Sequence, residues 1–154
     1  MLITQILHPD CVKVPVENSE KEAVITELID LLDAKGFFTN RDAALDAVLK
    51  RERTQSTGTG DGIAIPHGKS NAAKELVMAI GIADEPIEFD SIDGKPVKIL
   101  LLLVSPTNQT GLHIQALAGI SKLLMDKEFK TKLENATSSE EVYDLFYNRE
   151  SQKN

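Results

Sequence analysis

The chain has 154 residues, of which 42% are hydrophobic and 27% charged, enough apolar material for one domain with a buried core and not the composition of a disordered chain. Its formal net charge of −7 opposes nucleic-acid binding, which needs basic surface to displace counterions, but suits a basic protein partner. The single cysteine, Cys11, excludes an intramolecular disulfide and a cysteine metal cluster, fits a reducing compartment, and reads as a buried, inert thiol.

The N-terminal stretch MLITQILHPDCVKV has no basic region followed by a long apolar core, so no signal peptide is expected. The longest apolar run, 99–104, is far too short for a membrane span. The expectation is a soluble, cytoplasmic protein. His8, ahead of Pro9, has nothing around it that chemistry needs and reads as surface.

Ser19 with Glu22 forms a capping-box pattern, followed by Ala23, Val24, Leu28, Leu31 and Leu32 at helical spacing, with Gly36 as the stop. A second helix is predicted from Asn40 to about Arg51, capped by Thr39 or Asn40. The glycine-rich run 56–62 leads into a short apolar strand, Ile63 to Ile65. Another strand is predicted over 76–83. Asp93-Gly94 marks a hairpin, and 97–104 is a strand buried on both faces. A strong helix over 110–125 and two shorter ones, 127–135 and 138–147, complete the chain. The order of elements predicts an α/β or α+β fold, a mixed β-sheet flanked by helices. The expectation is one domain over 1–148 with a polar tail at 149–154.

Three histidines are candidates for chemistry. His67 follows Pro66, which fixes the backbone before it, and precedes Gly68, which permits close approach of backbone or a partner. Taken alone it is either a functional group presented by a rigid strand end or a surface turn residue. The preceding Ser56, Thr57, Gly58, Gly60, Asp61 and Gly62 offer hydroxyls and backbone N–H groups of the kind that cradle phosphate, or else form a plain turn. No G-x-x-x-x-G-K-[ST] motif is present, which disfavours nucleotide binding. His113 lies in the first turn of its helix, where the dipole attracts phosphate and disfavours imidazolium. A core histidine satisfied by one hydrogen bond is the competing account. Arg51, at the end of the second helix, either matches the helix dipole or clamps a phosphoryl oxygen. A metal-dependent hydrolase using His67, His113 and Asp61 is a distant alternative, because no H-x-x-x-H or H-E-x-x-H spacing supports it. A serine hydrolase lacks its G-x-S-x-G elbow.

Arg51-Glu52, the segment STGTGDGIAIPHG from Ser56 to Gly68, and GLHIQALAGISKLL from Gly111 together resemble the fructose/mannitol-type IIA domain of the bacterial phosphoenolpyruvate:sugar phosphotransferase system. The resemblance runs from about Ile3 to Tyr147. It implies a mixed sheet flanked by helices, a phosphorylated histidine at His67, a second active-site histidine at His113 and an active-site arginine at Arg51. It further implies a pocket lined by Ser56 to Gly62. The implied reaction takes a phosphoryl group from phospho-HPr and passes it to a cysteine of a IIB partner, with no cofactor or metal. The nitrogen-regulatory IIA paralogue, which acts by phosphorylation-dependent protein binding, shares the His67 motif and is the alternative. The segment 111–117 leans towards the sugar type.

Overall fold

The structure, a computed structural model, describes residues 1–152. After a 3-10 turn at Ile3–Gln5 come β1 (Leu7–Lys13), α1 (Lys21–Ala34), α2 (Arg41–Thr54), β2 (Gly58–Gly60), β3 (Ile63–Ala64), β4 (His67–Lys69), β5 (Val77–Ile87), β6 (Val97–Ser105), α3 (Thr110–Leu124), α4 (Lys127–Glu134) and α5 (Ser139–Ser151). The strands form one mixed sheet in the order β1-β5-β6-β3-β2, and β4 also pairs with β6. The predicted fold class holds.

Strand β6 is buried along its whole length except at Lys98, as its apolar run predicts. Its side chains divide by parity. Ile99, Leu101 and Leu103 enter a core shared with α3, α4 and α5 through Ile120, Phe129, Leu133 and Phe146. Leu100, Leu102 and Val104 enter a second core with α1 and α2 through Leu28, Leu32 and Val48. The sheet is thus the middle layer of a three-layer sandwich. The Asp93-Gly94 signal falls in the connection between antiparallel β5 and β6, where Gly94 has φ of 73° and donates to the Ser91 carbonyl at 2.9 Å.

Strands β3 and β4 run parallel to β6 and share a single register: Ile63 pairs with Ile99 and Ala64 with Leu100, then His67 with Leu103, Gly68 with Val104 and Lys69 with Ser105. They are one strand interrupted at Ile65-Pro66, where proline has no N–H to give the ladder. Its carbonyl still accepts Leu103 N–H at 3.0 Å. His67 therefore resumes a strand and lies neither at the strand end nor in the surface turn that the sequence suggests. Gly68 is close to backbone of the same chain: a Cβ there would lie 3.0 Å from Ala47 C and Val48 N of α2.

Other expectations need correction. Ser19 does not cap α1; the N-cap position is Glu20, which makes no side-chain cap bond. Of the two cap candidates, Thr39 and Asn40, it is Asn40 that caps α2, its Oδ1 accepting Ala43 N–H at 3.1 Å, and the helix continues to Thr54. Gly36, with φ of 79°, stops α1 through paired bonds from Gly36 N–H to Asp33 O and from Phe37 N–H to Leu32 O, the Schellman pattern. The N-terminal strand β1 was not legible, since Pro9 breaks its pattern; its edge position tolerates the proline. The segment from 149 is not a free tail as far as it is described. Helix α5 runs to Ser151, and buried Glu150 accepts the N–H groups of Ile3 and Thr4 and the Thr4 hydroxyl, closing the N-terminus onto α5. Residues 153–154 lie outside the described residues. Cys11 is fully buried, and burial pushes its thiol up to about 11. Among the described residues no helix is long and apolar enough to cross a membrane.

The close approach at Gly68 yields a stability test. Gly68→Ala places a methyl against helix backbone, which cannot rotate away as a flexible side chain would. The expected loss is about 1–3 kcal/mol, from overpacking, read as a lower urea midpoint at unchanged slope.

Candidate functional site

Parity in the interrupted strand assembles the site. Paired residues of neighbouring strands project to the same face. His67, opposite Leu103, and Lys69, opposite Ser105, therefore face the α3 layer, while Gly68 faces α2. Ser105 ends β6 on that layer, and its hydroxyl lies 2.7 Å from His113 Nδ1 in the first turn of α3. The imidazoles of His67 and His113 meet edge to face, with ring centroids 5.4 Å apart and planes at 63°. Lys69 Nζ donates to Thr110 Oγ1 at 3.2 Å, tying the strand to the N-terminus of α3.

The tautomer of His67 follows from its partner. Its Nδ1 lies 2.7 Å from the Ile65 carbonyl oxygen, and a carbonyl can only accept. Nδ1 thus carries the hydrogen, and the lone pair resides on Nε2. Burial lowers the affinity of His67 for a second proton; the positive charges of Arg51 and Lys69 act in the same sense, while the Ile65 carbonyl and the Glu52 carboxylate oppose them. His113 is almost wholly buried. Burial first, and then the charges of His67 and Lys69, push its pKa down to about 4. His113 is buried and hydrogen-bonded once, as the core-histidine account expects, and its ring stands beside that of His67.

Arg51 lies at the C-terminal end of α2, near enough for its charge to act on His67. Its Nη1 donates to the Gln55 carbonyl at 2.8 Å, which satisfies a helix-end acceptor and leaves its other guanidinium donors available. Of the expected pocket-lining residues, Ser56 and Thr57 are engaged in holding the chain. Ser56 Oγ donates to Phe89 O at 2.7 Å and accepts Gly58 N–H at 3.0 Å. Thr57 donates both its N–H, at 2.8 Å, and its hydroxyl to the Glu52 carboxylate. Gly58 faces Ser91, whose Cα would be 3.0 Å from an added Cβ. Gly60, Asp61 and Gly62 form the turn between β2 and β3 with φ of 113°, 57° and 79°, and Asp61 N–H donates to Asp93 Oδ2 at 3.0 Å. Gly60 and Asp61 line a groove of about 660 Å³ with Met125, Lys127 and Lys130, which reaches the site only at Ile65.

Sequence reasoning did not single out Lys69, Ser105 or the contact between Glu52 and Thr57. Lys69 had a usable signal, because a residue two positions after His67 on a strand shares its face. Ser105 had none, since its contact depends on the crossing of β6 and α3. Among the described residues no three His, Cys, Asp or Glu side chains are grouped so as to hold a metal ion.

The depressed pKa of His113 sets a pH test. An unfolded chain takes up this proton near 6.5, whereas the folded chain resists until about 4. The unfolded state then binds more protons across that window, so stability falls as pH is lowered from 6.5 towards 4 and is unaffected by this group above it. NMR should show His113 neutral at pH 5.5. Urea midpoints should fall between pH 7 and pH 5, and less steeply in His113→Gln.

Comparison with known proteins adds a family. The family described as phosphoenolpyruvate-dependent sugar phosphotransferase system, EIIA 2, matches residues 5–149. The chain is 36% identical to the PTS system fructose-specific EIIA component of Haloferax volcanii, covering 93% of each chain. It is also 36% identical to the nitrogen regulatory protein of Klebsiella oxytoca, covering 93% of this chain and 88% of that one. It matches the fructose-specific EIIABC component of Bacillus subtilis at 34% identity over 94% of its own length but spans only 23% of that longer protein. The crystal structure of nitrogen regulatory protein IIA-Ntr from Neisseria meningitidis superposes with a TM-score of 0.86 at 30% identity, covering 94% of this chain and 98% of that one. Enzyme IIA of the mannitol system of Escherichia coli, solved in complex with phosphorylated enzyme IIB, shares the fold with a TM-score of 0.80 at 20% identity, covering 94% of this chain and all of that one. The chain belongs to the EIIA 2 family of the phosphoenolpyruvate-dependent sugar phosphotransferase system.

Proposed function

We propose that this protein is a cytoplasmic phosphocarrier that takes a phosphoryl group from phospho-HPr onto His67 Nε2 and passes it to the cysteine of a fructose-type IIB partner. The observation that carries this reading is the fixed Nδ1–H of His67, hydrogen-bonded to Ile65 O at 2.7 Å beside His113. An uncharged imidazole with its lone pair on a known nitrogen is a nucleophile that needs no base.

The electron balance is simple. The Nε2 lone pair forms a bond to phosphorus as the donor's N–P bond breaks, and the donor imidazole keeps that bonding pair. Nδ1 retains its hydrogen, so the ring becomes a cation bearing a phosphoryl dianion, and Ile65 O stabilises the charged N–H. In the second step a thiolate forms the S–P bond, and the pair returns to Nε2. In such transfers the protein mainly positions groups and stabilises charge on the equatorial oxygens. Arg51, Lys69 and the α3 N-terminus supply that charge. In the tautomer of neutral His113 in which the Ser105 hydroxyl donates to Nδ1, its Nε2–H is a further donor. Leu112 and Ile114, 42% and 59% exposed on either side of buried His113, give an apolar rim for a transient partner.

The second reading is a regulator of the nitrogen type, favoured by the likeness to the Neisseria protein. It uses the same His67 chemistry and differs in what docks afterwards. Intact mass after incubation with phosphoenolpyruvate, enzyme I and HPr should show one acid-labile phosphoryl group on wild type and none on His67→Ala. His113→Ala should still accept it, roughly 10²-fold more slowly, as for loss of one transition-state donor. Discharge of the phosphorylated protein by purified fructose-type IIB supports the sugar carrier; a phosphoryl group that stays put with IIB supports the regulator. Acceptance by His67→Ala at the wild-type rate would overturn the site.

A further inference from the structure

We infer that Glu52 is the positioning residue of His67, acting through Thr57 and Ile65 with Lys21 as its counter-cation; the inference rests on His67 being the phosphoryl acceptor. Glu52 is only 4% exposed, at the end of α2 and beside Arg51 in sequence. Such a carboxylate is costly to bury unless it is paired and hydrogen-bonded. Its Oε2 lies 3.0 Å from Lys21 Nζ and accepts Thr57 N–H at 2.8 Å, and its Oε1 accepts the Thr57 hydroxyl.

From Thr57 the connection continues without a gap. The Thr57 carbonyl accepts Ile65 N–H at 3.2 Å, and the Ile65 carbonyl accepts His67 Nδ1–H at 2.7 Å. The peptide that fixes the tautomer of His67 is thus anchored on one side by β6 and on the other by a buried ion pair. The anchoring matters because Ile65-Pro66 is the break in the strand, where Pro66 donates nothing to hold the backbone. Lys21 is fixed as well: its Nζ lies 3.7 Å from Asp90 Oδ2 and 4.9 Å from the centroid of the Phe89 ring, whose carbonyl accepts the Ser56 hydroxyl. Both hydroxyls of the Ser56-Thr57 pair therefore end on one cluster around Lys21. A buried ion pair is seldom more stabilising than apolar packing of the same volume, so stability alone does not account for it. Its charge also faces the right way, since the carboxylate favours the ring cation that phosphorylation creates.

The test compares wild type, Glu52→Gln and His67→Ala. The readouts are the tautomer of His67 by long-range ¹⁵N NMR and initial rates of phosphoryl acceptance against HPr concentration. Glu52→Gln keeps the side chain's shape but loses one acceptor and the charge. The expected result is a His67 signal that moves from fixed Nδ1–H to mixed tautomers, with kcat lowered about tenfold or more and KM for HPr nearly unchanged. If Glu52→Gln does not fold, Thr57→Val, which removes only the hydroxyl bond, decides on the same readouts with a smaller effect. An unchanged tautomer and unchanged kcat in a folded variant overturn the inference. Failure of wild type to accept phosphate under active upstream enzymes instead overturns the carrier reading, and the tautomer measurement still decides whether Glu52 positions His67.

Discussion

The unbroken register of β3 and β4 along β6 is the constraint on which the site depends. A slip of one residue would turn His67 and Lys69 towards α2 and place Gly68 against α3. The register is held from both layers. Leu103 and its neighbours fix one face, and the close packing of α2 over Gly68 fixes the other. Pro66 interrupts the ladder without shifting it, because its carbonyl still bonds to Leu103 N–H. The Ile65 N–H bonds to Thr57 O, so the Ile65 carbonyl also points away from β6, and it accepts from His67. The kept register and the Ile65 carbonyl together mount an imidazole of defined tautomer.

The second histidine depends on the same sheet. Ser105 is the last residue of β6, and α3 begins five positions later at Thr110. The short connection brings the first helical turn back over the strand end, so that Ser105, Lys69, Thr110 and His113 form one joined group. Helix packing through Ile120, Leu123 and Leu124 keeps that turn in place. The helix thus links an apolar face, which stabilises the fold, to a polar end, which meets His67.

Regular elements were legible where a single physical signal dominated. The apolar run of β6, the Gly36 stop and the α3 periodicity each made one choice and appear as expected, and of the two cap candidates for α2 the structure uses Asn40. Strand β1 was lost because its pairing with β5 comes from tertiary contact, and its sequence, with Pro9, has no alternation. The tail at 149 read as polar because the partner of Glu150 is the N-terminus, a contact across the length of the chain. In the site, His67, His113 and Arg51 were named from sequence, and the structure places the two imidazoles side by side with Arg51 near enough to act on His67. The glycine-rich run admits, from its sequence, either a phosphate cradle or a plain turn. Its Ser56 and Thr57 hydroxyls are spent on Phe89 and Glu52, partners that no local pattern announces.

The electrostatics of the site resolve an apparent conflict. Burial makes an imidazolium unfavourable at both histidines, helped by the charges of Arg51 and Lys69 at His67 and of His67 and Lys69 at His113, a cost to the folded state at low pH. The same field suits the proposed intermediate. Phosphorylation of neutral His67 gives a ring cation joined to a dianion, a net negative group with its negative charge on the outer oxygens. Cations and a helix N-terminus favour those oxygens, while the ring cation is met at Nδ1 by the Ile65 carbonyl and, farther back, by Glu52. A proton and a phosphoryl group are thus distinguished by where each puts its charge. The proton brings positive charge alone into a positive field, whereas the phosphoryl group brings negative charge to the cations and leaves the positive charge on the side where the acceptors lie.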